Sequence, residues 1–160
     1  MSDDGISALA QHAARHWPQL QTLILASNNM GTAGVTALAK HAARHWPQLH
    51  TLNFSCTKLG NDGAKALAKH AGPCWPRMLN LDLSACRLDA GGVAALAKHA
   101  ARHWPLLQSL NLSANFLGRA GSDAQHWPQL QKCWLDRAGS ACPALAPTAE
   151  RKTQHVSAGI

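Results

Sequence analysis

Hydrophobic and polar positions along this chain follow two alternating periods. Segments such as "TLNF" (51–54) and "NLDL" (80–83) place Leu52 and Phe54, or Leu81 and Leu83, between polar neighbours. That period of two predicts a short strand with one face turned inward and the other towards solvent. Stretches such as "GVTALAKHAARH" (34–45) have helical spacing instead. Val35, Leu38, Ala39, Ala42 and Trp46 share one side of a helical wheel, with Lys40 and Arg44 opposite. Each unit is thus predicted to run from strand through a turn to an amphipathic outer helix.

The two patterns recur together. Trp-Pro occurs at Trp17, Trp46, Trp75 and Trp104, a step of 29 residues taken three times, and again at Trp127 after 23. A fixed period of this size marks a stacked repeat. The segments that follow read LQTLILASNNM (20–30), LHTLNFSCTKL (49–59), MLNLDLSACRL (78–88) and LQSLNLSANFL (107–117), all close to LxxLxLxx(N/C/T)xL. The ninth position holds Asn28, Thr57, Cys86 and Asn115, side chains suited to bond backbone groups left free where the chain leaves the strand. A glycine at one phase (Gly5, Gly34, Gly63, Gly92, Gly121) is expected to make the tight turn that opens each alanine-rich helix. The tryptophans read as buried plugs at the return from helix to strand, each helix being ended by the following proline.

These motifs resemble the leucine-rich repeat. A unit of 29 residues with a full helix is similar to its ribonuclease-inhibitor-like class, which includes NLR-type receptors and Ran GTPase-activating proteins; the resemblance covers about residues 5–135. It implies an α/β leucine-rich-repeat solenoid, a short horseshoe of about four and a half repeats with parallel inner strands and outer helices. Residues 1–16 are expected to form a partial first repeat, helix only. Residues 17–142 carry the repeats, the last two shortened or degenerate, and 143–160 read as a flexible C-terminal tail. Gly72-Pro73 is expected to stop the third helix a turn early. Ten steps separate Leu117 from Trp127, against sixteen from Leu88 to Trp104, so most of the helix between Leu117 and Trp127 is expected to be missing. Such an array only just reaches the roughly three stacked units a solenoid needs. It therefore reads as a fragment of a longer repeat protein, or as a shortened copy whose uncapped ends are covered by a partner or by self-association.

Composition excludes several function classes. At 160 residues and 46% hydrophobic content the chain can bury one core. No apolar N-terminal segment and no run of eighteen apolar residues appears, so neither secretion nor a membrane span is indicated, and the expected compartment is cytoplasmic. Cys56, Cys74, Cys86, Cys133 and Cys142 are odd in number and form no CxxC, which fits reduced thiols. There is no GxSxG, no P-loop and no pair of carboxylates, so no enzyme activity and no cofactor are expected. His12/His16, His41/His45 and His99/His103 are spaced i,i+4, a spacing that can hold a metal, but HExxH and a third ligand at fixed offset are both absent. They read as histidines flanking the stacking face, with no metal.

Net charge is +7, and Arg15, Lys40, Arg44, Lys65, Lys69, Lys98 and Arg102 all fall on the outer helices as a convex basic band. Such a band can hold nucleic acid or an anionic membrane surface through non-specific contacts, but no nucleic-acid-reading motif accompanies it. The solvent-facing column of the strands reads Ile24, Asn53, Asp82, Asn111 and Trp134, beside Thr22, Thr51, Asn80, Ser109 and Lys132, with Lys58 and Arg87 at the strands' exit edge. These positions vary from unit to unit while the helix phrase does not. Asn53, Lys58, Asp82, Arg87, Asn111 and Trp134 are therefore the expected partner-binding residues. The leading function is a non-catalytic protein-protein interaction module that binds a protein partner through its inner face, within a larger receptor or regulator. One alternative is a Ran-type GTPase-activating protein, against which Asn28 and Asn115 read as turn residues rather than as that family's catalytic asparagine. The other is a basic surface binder of nucleic acid or anionic membrane. Ribonuclease inhibition fits poorly, because inhibitors of that kind are acidic and here only Asp82 and Asp136 bring acid to the inner face.

Overall fold

The computed structural model describes residues 1–117 and 132–134. Gly121, Trp127, Asp136, Cys142, the shortened helix expected between Leu117 and Trp127 and the tail expected over 143–160 lie outside these residues. Five short strands form one parallel sheet in sequence order: β1 (Thr22–Ile24), β2 (Thr51–Asn53), β3 (Asn80–Asp82), β4 (Ser109–Asn111) and β5 (Lys132–Trp134). Their register follows the repeat. Leu23, Leu52, Leu81 and Leu110 pair across the sheet, flanked on one side by Thr22, Thr51, Asn80 and Ser109 and on the other by Ile24, Asn53, Asp82 and Asn111. Trp134 falls opposite Asn111. Because β-strand side chains alternate, this register gives one leucine column to the core and two polar columns to the opposite face.

Helices α1 (Asp3–Ala8), α2 (Thr32–Ala37), α3 (Gly60–Ala66) and α4 (Ala90–His103) lie side by side behind the sheet. Three of them do not end as α-helix. α2 passes into a π-helical turn, Leu38–Ala42, and then a 3-10 turn, Ala43–His45; the chain after α1 and after α3 does the same at Leu9–His16 and Leu67–Cys74. The wider turn aims two successive residues inward, so Ala43 is buried beside Ala42 although a regular wheel turns it away from the stripe.

The expectation that Pro73 shortens the third helix is not met. Gly72–Cys74 makes the same closing 3-10 turn as Ala43–His45, with Pro73 at its first positions, where a missing N–H costs nothing. The glycine phase also needs correction, because Gly34, Gly63 and Gly92 sit inside the helices and not in turns. The requirement there is space. A Cβ on Gly34 would come within 2.6 Å of Asp3 Oδ1 and 3.1 Å of Asp3 Cα, and one on Gly92 would collide with Asn61. Asp3 and Asn61, which crowd them, also bind the next repeat: Asp3 Oδ1 accepts from Gly31 N at 2.6 Å and Asn61 Oδ1 accepts from Asp89 N at 3.0 Å, while Thr32 Oγ1 at the start of α2 donates to Leu59 O at 2.8 Å.

The core lies between sheet and helices and is built in layers, one per repeat. Leu52, Phe54, Leu59, Leu67 and Trp75 are fully buried, as are Trp46 and Trp104. The indole N–H of Trp46 donates to Ala14 O at 3.0 Å and that of Trp75 to Ala43 O at 3.1 Å, so each tryptophan both fills its own layer and fastens it to the previous helix end.

Candidate interaction surface

Strands β1 to β4 leave the sheet through one common turn. Ser27, Cys56, Ala85 and Ala114 take left-handed backbone, φ between 51° and 57°, at a single phase of the repeat. The next residue, at the ninth pattern position, holds that turn. Buried Asn115 accepts from Cys86 N at 2.9 Å and Leu88 N at 3.0 Å, and its amide donates to Leu83 O at 2.8 Å and Leu112 O at 2.9 Å. Thr57 Oγ1 donates to Phe54 O at 2.8 Å, and the Cys86 thiol reaches the same carbonyl at 3.1 Å. Burial pushes the Cys86 thiol pKa up, against the lowering effect of its Thr57 contacts. These side chains are clamps, and Asn115 has no polar atom left for a substrate.

Asn53, Asp82 and Asn111 share one polar floor. Asn53 Oδ1 accepts from Ser55 N at 2.8 Å; Asp82 Oδ1 accepts from Ser84 N at 2.9 Å and Ser84 Oγ at 2.7 Å; Asn111 Oδ1 accepts from Ser113 N at 3.1 Å and Ser113 Oγ at 2.7 Å. One oxygen of each thus serves its own turn. The outward atoms are knitted sideways, with Asn111 Nδ2 donating to Asp82 Oδ2 at 3.2 Å and Asn80 Nδ2 to Thr51 Oγ1 at 3.2 Å. The result is a shallow depression of about 320 Å³ lined by Thr51, Asn53, Asn80, Asp82, Ser109 and Asn111, with Asp82 its one carboxylate among the described residues. Exposed Ile24 continues the column at β1.

Lys58 and Arg87 belong to a different surface. Both are exposed and line a second depression of about 510 Å³ at the strands' exit, with Asn28, Asn29 and Cys56. The six expected contact residues are therefore divided: Asn53, Asp82 and Asn111 stand on the floor with Trp134 beyond them in register, and the two cations stand at the edge. Sequence reasoning passed over Phe116, which is 74% exposed and occupies the phase of Lys58 and Arg87 one repeat later. The 29-residue step from Arg87 was the signal for it.

On the helix side, Arg15, Lys40, Arg44, Lys65, Lys69, Lys98 and Arg102 are all exposed. Arg15 and Arg44 each donate to the neighbouring histidine, His16 and His45, at 3.2 and 3.3 Å. The pKa of His70 is lowered by partial burial and by Lys40 and Lys69. Among the described residues no group of three or more His, Cys, Asp or Glu side chains comes together to hold a metal, and no helix is long and apolar enough to cross a membrane.

This geometry defines an α/β leucine-rich-repeat solenoid. The Leucine Rich repeat family model matches residues 18–39 and 47–68, two of the units that build this solenoid. Similar solved structures include the leiomodin-1 actin-binding site 2 (12% identity, TM-score 0.67, covering 94% of this chain and 91% of that one). A tropomodulin C-terminal domain from Caenorhabditis elegans is also similar (12% identity, TM-score 0.68, 94% and 95% covered). At that identity the likeness is one of fold. A search of curated protein sequences gave no match.

Proposed function

We propose that this protein is a non-catalytic interaction module whose protein partner docks on the strand face, over Asn53, Asp82, Asn111 and Trp134, with Lys58 and Arg87 at the rim. The observation that carries this reading is the pairing register. It lines up the positions that differ between repeats into two adjacent solvent-facing columns, over leucines that do not differ. An array of this kind offers a rigid, extended surface with side chains already ordered, which lowers the entropy cost of binding. The leiomodin neighbour is itself named for an actin-binding site, a precedent for protein binding by this fold. The 29-residue unit supports assignment to the ribonuclease-inhibitor-like class. The convex cations support a second reading, a weaker and salt-sensitive hold on nucleic acid or anionic membrane.

The test is capture of partners from a cell lysate by the wild-type chain and by a variant in which Asn53, Asp82, Asn111 and Trp134 are exchanged for Ala or Arg. A protein held by the first and lost by the second supports the reading; an unchanged set of captured proteins removes the strand face from it. GTP hydrolysis by Ran, measured with and without this chain, separates the Ran-type alternative.

A further inference from the structure

Asn29, Lys58, Arg87 and Phe116 occupy one phase of four successive repeats, just beyond the turn where each strand ends. In two of them the backbone continues the ladder between repeats. Lys58 N donates to Met30 O at 2.8 Å and Phe116 N to Leu88 O at 2.7 Å. Arg87 breaks the series. Its φ is +61°, a left-handed conformation that none of the other three adopts. Leu59 O, the acceptor that the series would give it, takes the Thr32 hydroxyl, and Gly60, also left-handed at φ +64°, donates to Cys86 O at 2.9 Å. The left-handed residues Ser27, Cys56, Ala85 and Ala114 are explained by the turn common to all repeats; the one at Arg87 is not. A strained arginine on an exposed edge is the kind of departure that a binding site retains.

Two further features point the same way. Lys58 and Arg87 are like charges at one phase of neighbouring repeats, with no ion-pair partner among the described residues, an arrangement that disfavours folding slightly. The nearby carboxylates are engaged elsewhere: Asp89 Oδ1 accepts from Gly91 N and Gly92 N at its own helix start, and Asp82 is tied to Ser84 and Asn111. Beyond Arg87 stands Phe116, three-quarters exposed, where a soluble surface has no need of an aromatic ring. Cation, cation and ring thus follow one another along the edge, at the strand-to-strand spacing of about 5 Å.

We infer that this edge is the docking point for an acidic segment of the protein partner, two carboxylates meeting Lys58 and Arg87 and an apolar side chain beside them covering Phe116. The inference rests on the proposed protein-binding role of the strand face and gives the partner a chemistry. It calls for acid at the edge and hydrogen-bond donors or a cation over Asp82 on the floor. Electrostatic complementarity of this sort fixes orientation and speeds encounter, while the ring supplies the anchor. A nucleic acid fits less well, because two cations and a phenyl ring make no continuous basic track; it is kept as an outcome of the test.

The probe is a fluorescent nonapeptide, Gly-Ser-Asp-Glu-Phe-Glu-Asp-Ser-Gly, titrated into the full chain at low salt and followed by NMR amide shifts. A version with Lys replacing every acid, a version with Ala replacing Phe, and oligothymidylate serve as comparisons. The acidic peptide should shift the Lys58, Arg87 and Phe116 amides, the lysine version should not, and loss of the ring should weaken binding by about ten-fold. Arg87→Gly retains access to the left-handed backbone and removes the guanidinium. It should weaken the peptide by about ten-fold or more while the melting temperature holds or rises, a trade that a merely structural arginine would not make. Unshifted edge amides, affinity unchanged by Arg87→Gly, or tighter binding of oligothymidylate at these amides would each overturn the inference. If lysate capture is lost on exchanging the floor residues but survives Arg87→Gly, the edge fails and the strand-face function stands. If capture ignores both, the underlying reading fails.

Discussion

The nonapeptide HAARHWPQL stands at 12–20 and again, letter for letter, at 41–49, yet the two copies meet different surroundings. Trp46 is completely buried and its indole bonds Ala14 O, whereas Trp17 is 43% exposed. Leu49 is buried while Leu20 is only partly covered. Local sequence is the same and so is local structure, a π turn followed by a 3-10 turn in each. The difference is the layer against which each copy packs: repeat two lies on repeat one, and among the described residues repeat one has a layer on one side only. In a stacked fold, burial belongs to the interface between units rather than to the unit, so equal words contribute unequal stability.

The sharpest way to break this comparison is to remove both tryptophans in turn. Trp46→Ala should cost about 3–5 kcal/mol in urea denaturation, and Trp17→Ala no more than about 1.5 kcal/mol. Equal losses would mean that position in the stack does not decide burial. The turn clamps provide the next contrast. Asn115→Ala strips a buried side chain of its bonds to two N–H groups and to the carbonyls of Leu83 and Leu112, so a loss of about 3 kcal/mol is expected. Asn28→Ala, at a half-buried position bonding Leu25 O and Ala26 O, should cost about 1 kcal/mol by the same measurement.

Glycine sharpens the comparison further, because here the sign should differ. Gly34→Ala pushes a methyl group into Asp3 and should destabilise by about 1–3 kcal/mol. Gly5→Ala meets only the movable side chains of Met1 and Ser2 and should be neutral or stabilising by up to about 1 kcal/mol, read as a shift in thermal midpoint. The smallest effect is one of pH. His70 has its pKa lowered by desolvation first and by Lys40 and Lys69 next, so the folded state binds its proton less readily than the unfolded state does. Its contribution is complete above the ordinary histidine pKa of about 6.5 and is lost as pH falls below that value. His70→Gln should therefore flatten the decline in melting temperature between roughly pH 6.5 and 5.

Much of this fold was legible because the repeat writes it several times over. The strand columns, the inward leucines and the ninth-position clamps appear in the sequence at the spacing the structure gives them, since register in a solenoid is simply the repeat length. What escaped was geometry without a one-dimensional signature. No hydrophobic pattern announces a π turn, so Ala43 was missed as a core residue. Gly34 and Gly92 read as turn glycines because the glycine's own sequence does not reveal that Asp3 and Asn61 crowd it from the preceding repeat. Pro73 looked disruptive only when the helix was assumed to be regular. At the candidate surface, the column Asn53, Asp82 and Asn111 and the edge position of Lys58 and Arg87 could be read directly, and the 29-residue step also points to Phe116, but the left-handed backbone of Arg87 and the hydrogen bonds that tie the floor together emerged only with the backbone in place.

The central claim is that the repeated helix phrase is scaffold and the unequal strand positions do the recognising. It is tested most directly by capturing partners with two folded variants side by side. One carries Asn53→Ala, Asp82→Ala and Asn111→Ala on the strand face; the other carries Lys40→Glu, Arg44→Glu and Lys69→Glu on the helix face. Both should keep the wild-type circular dichroism spectrum. The strand-face variant should lose the specific partner and the helix-face variant should keep it, whereas loss from the helix-face variant alone would contradict this claim.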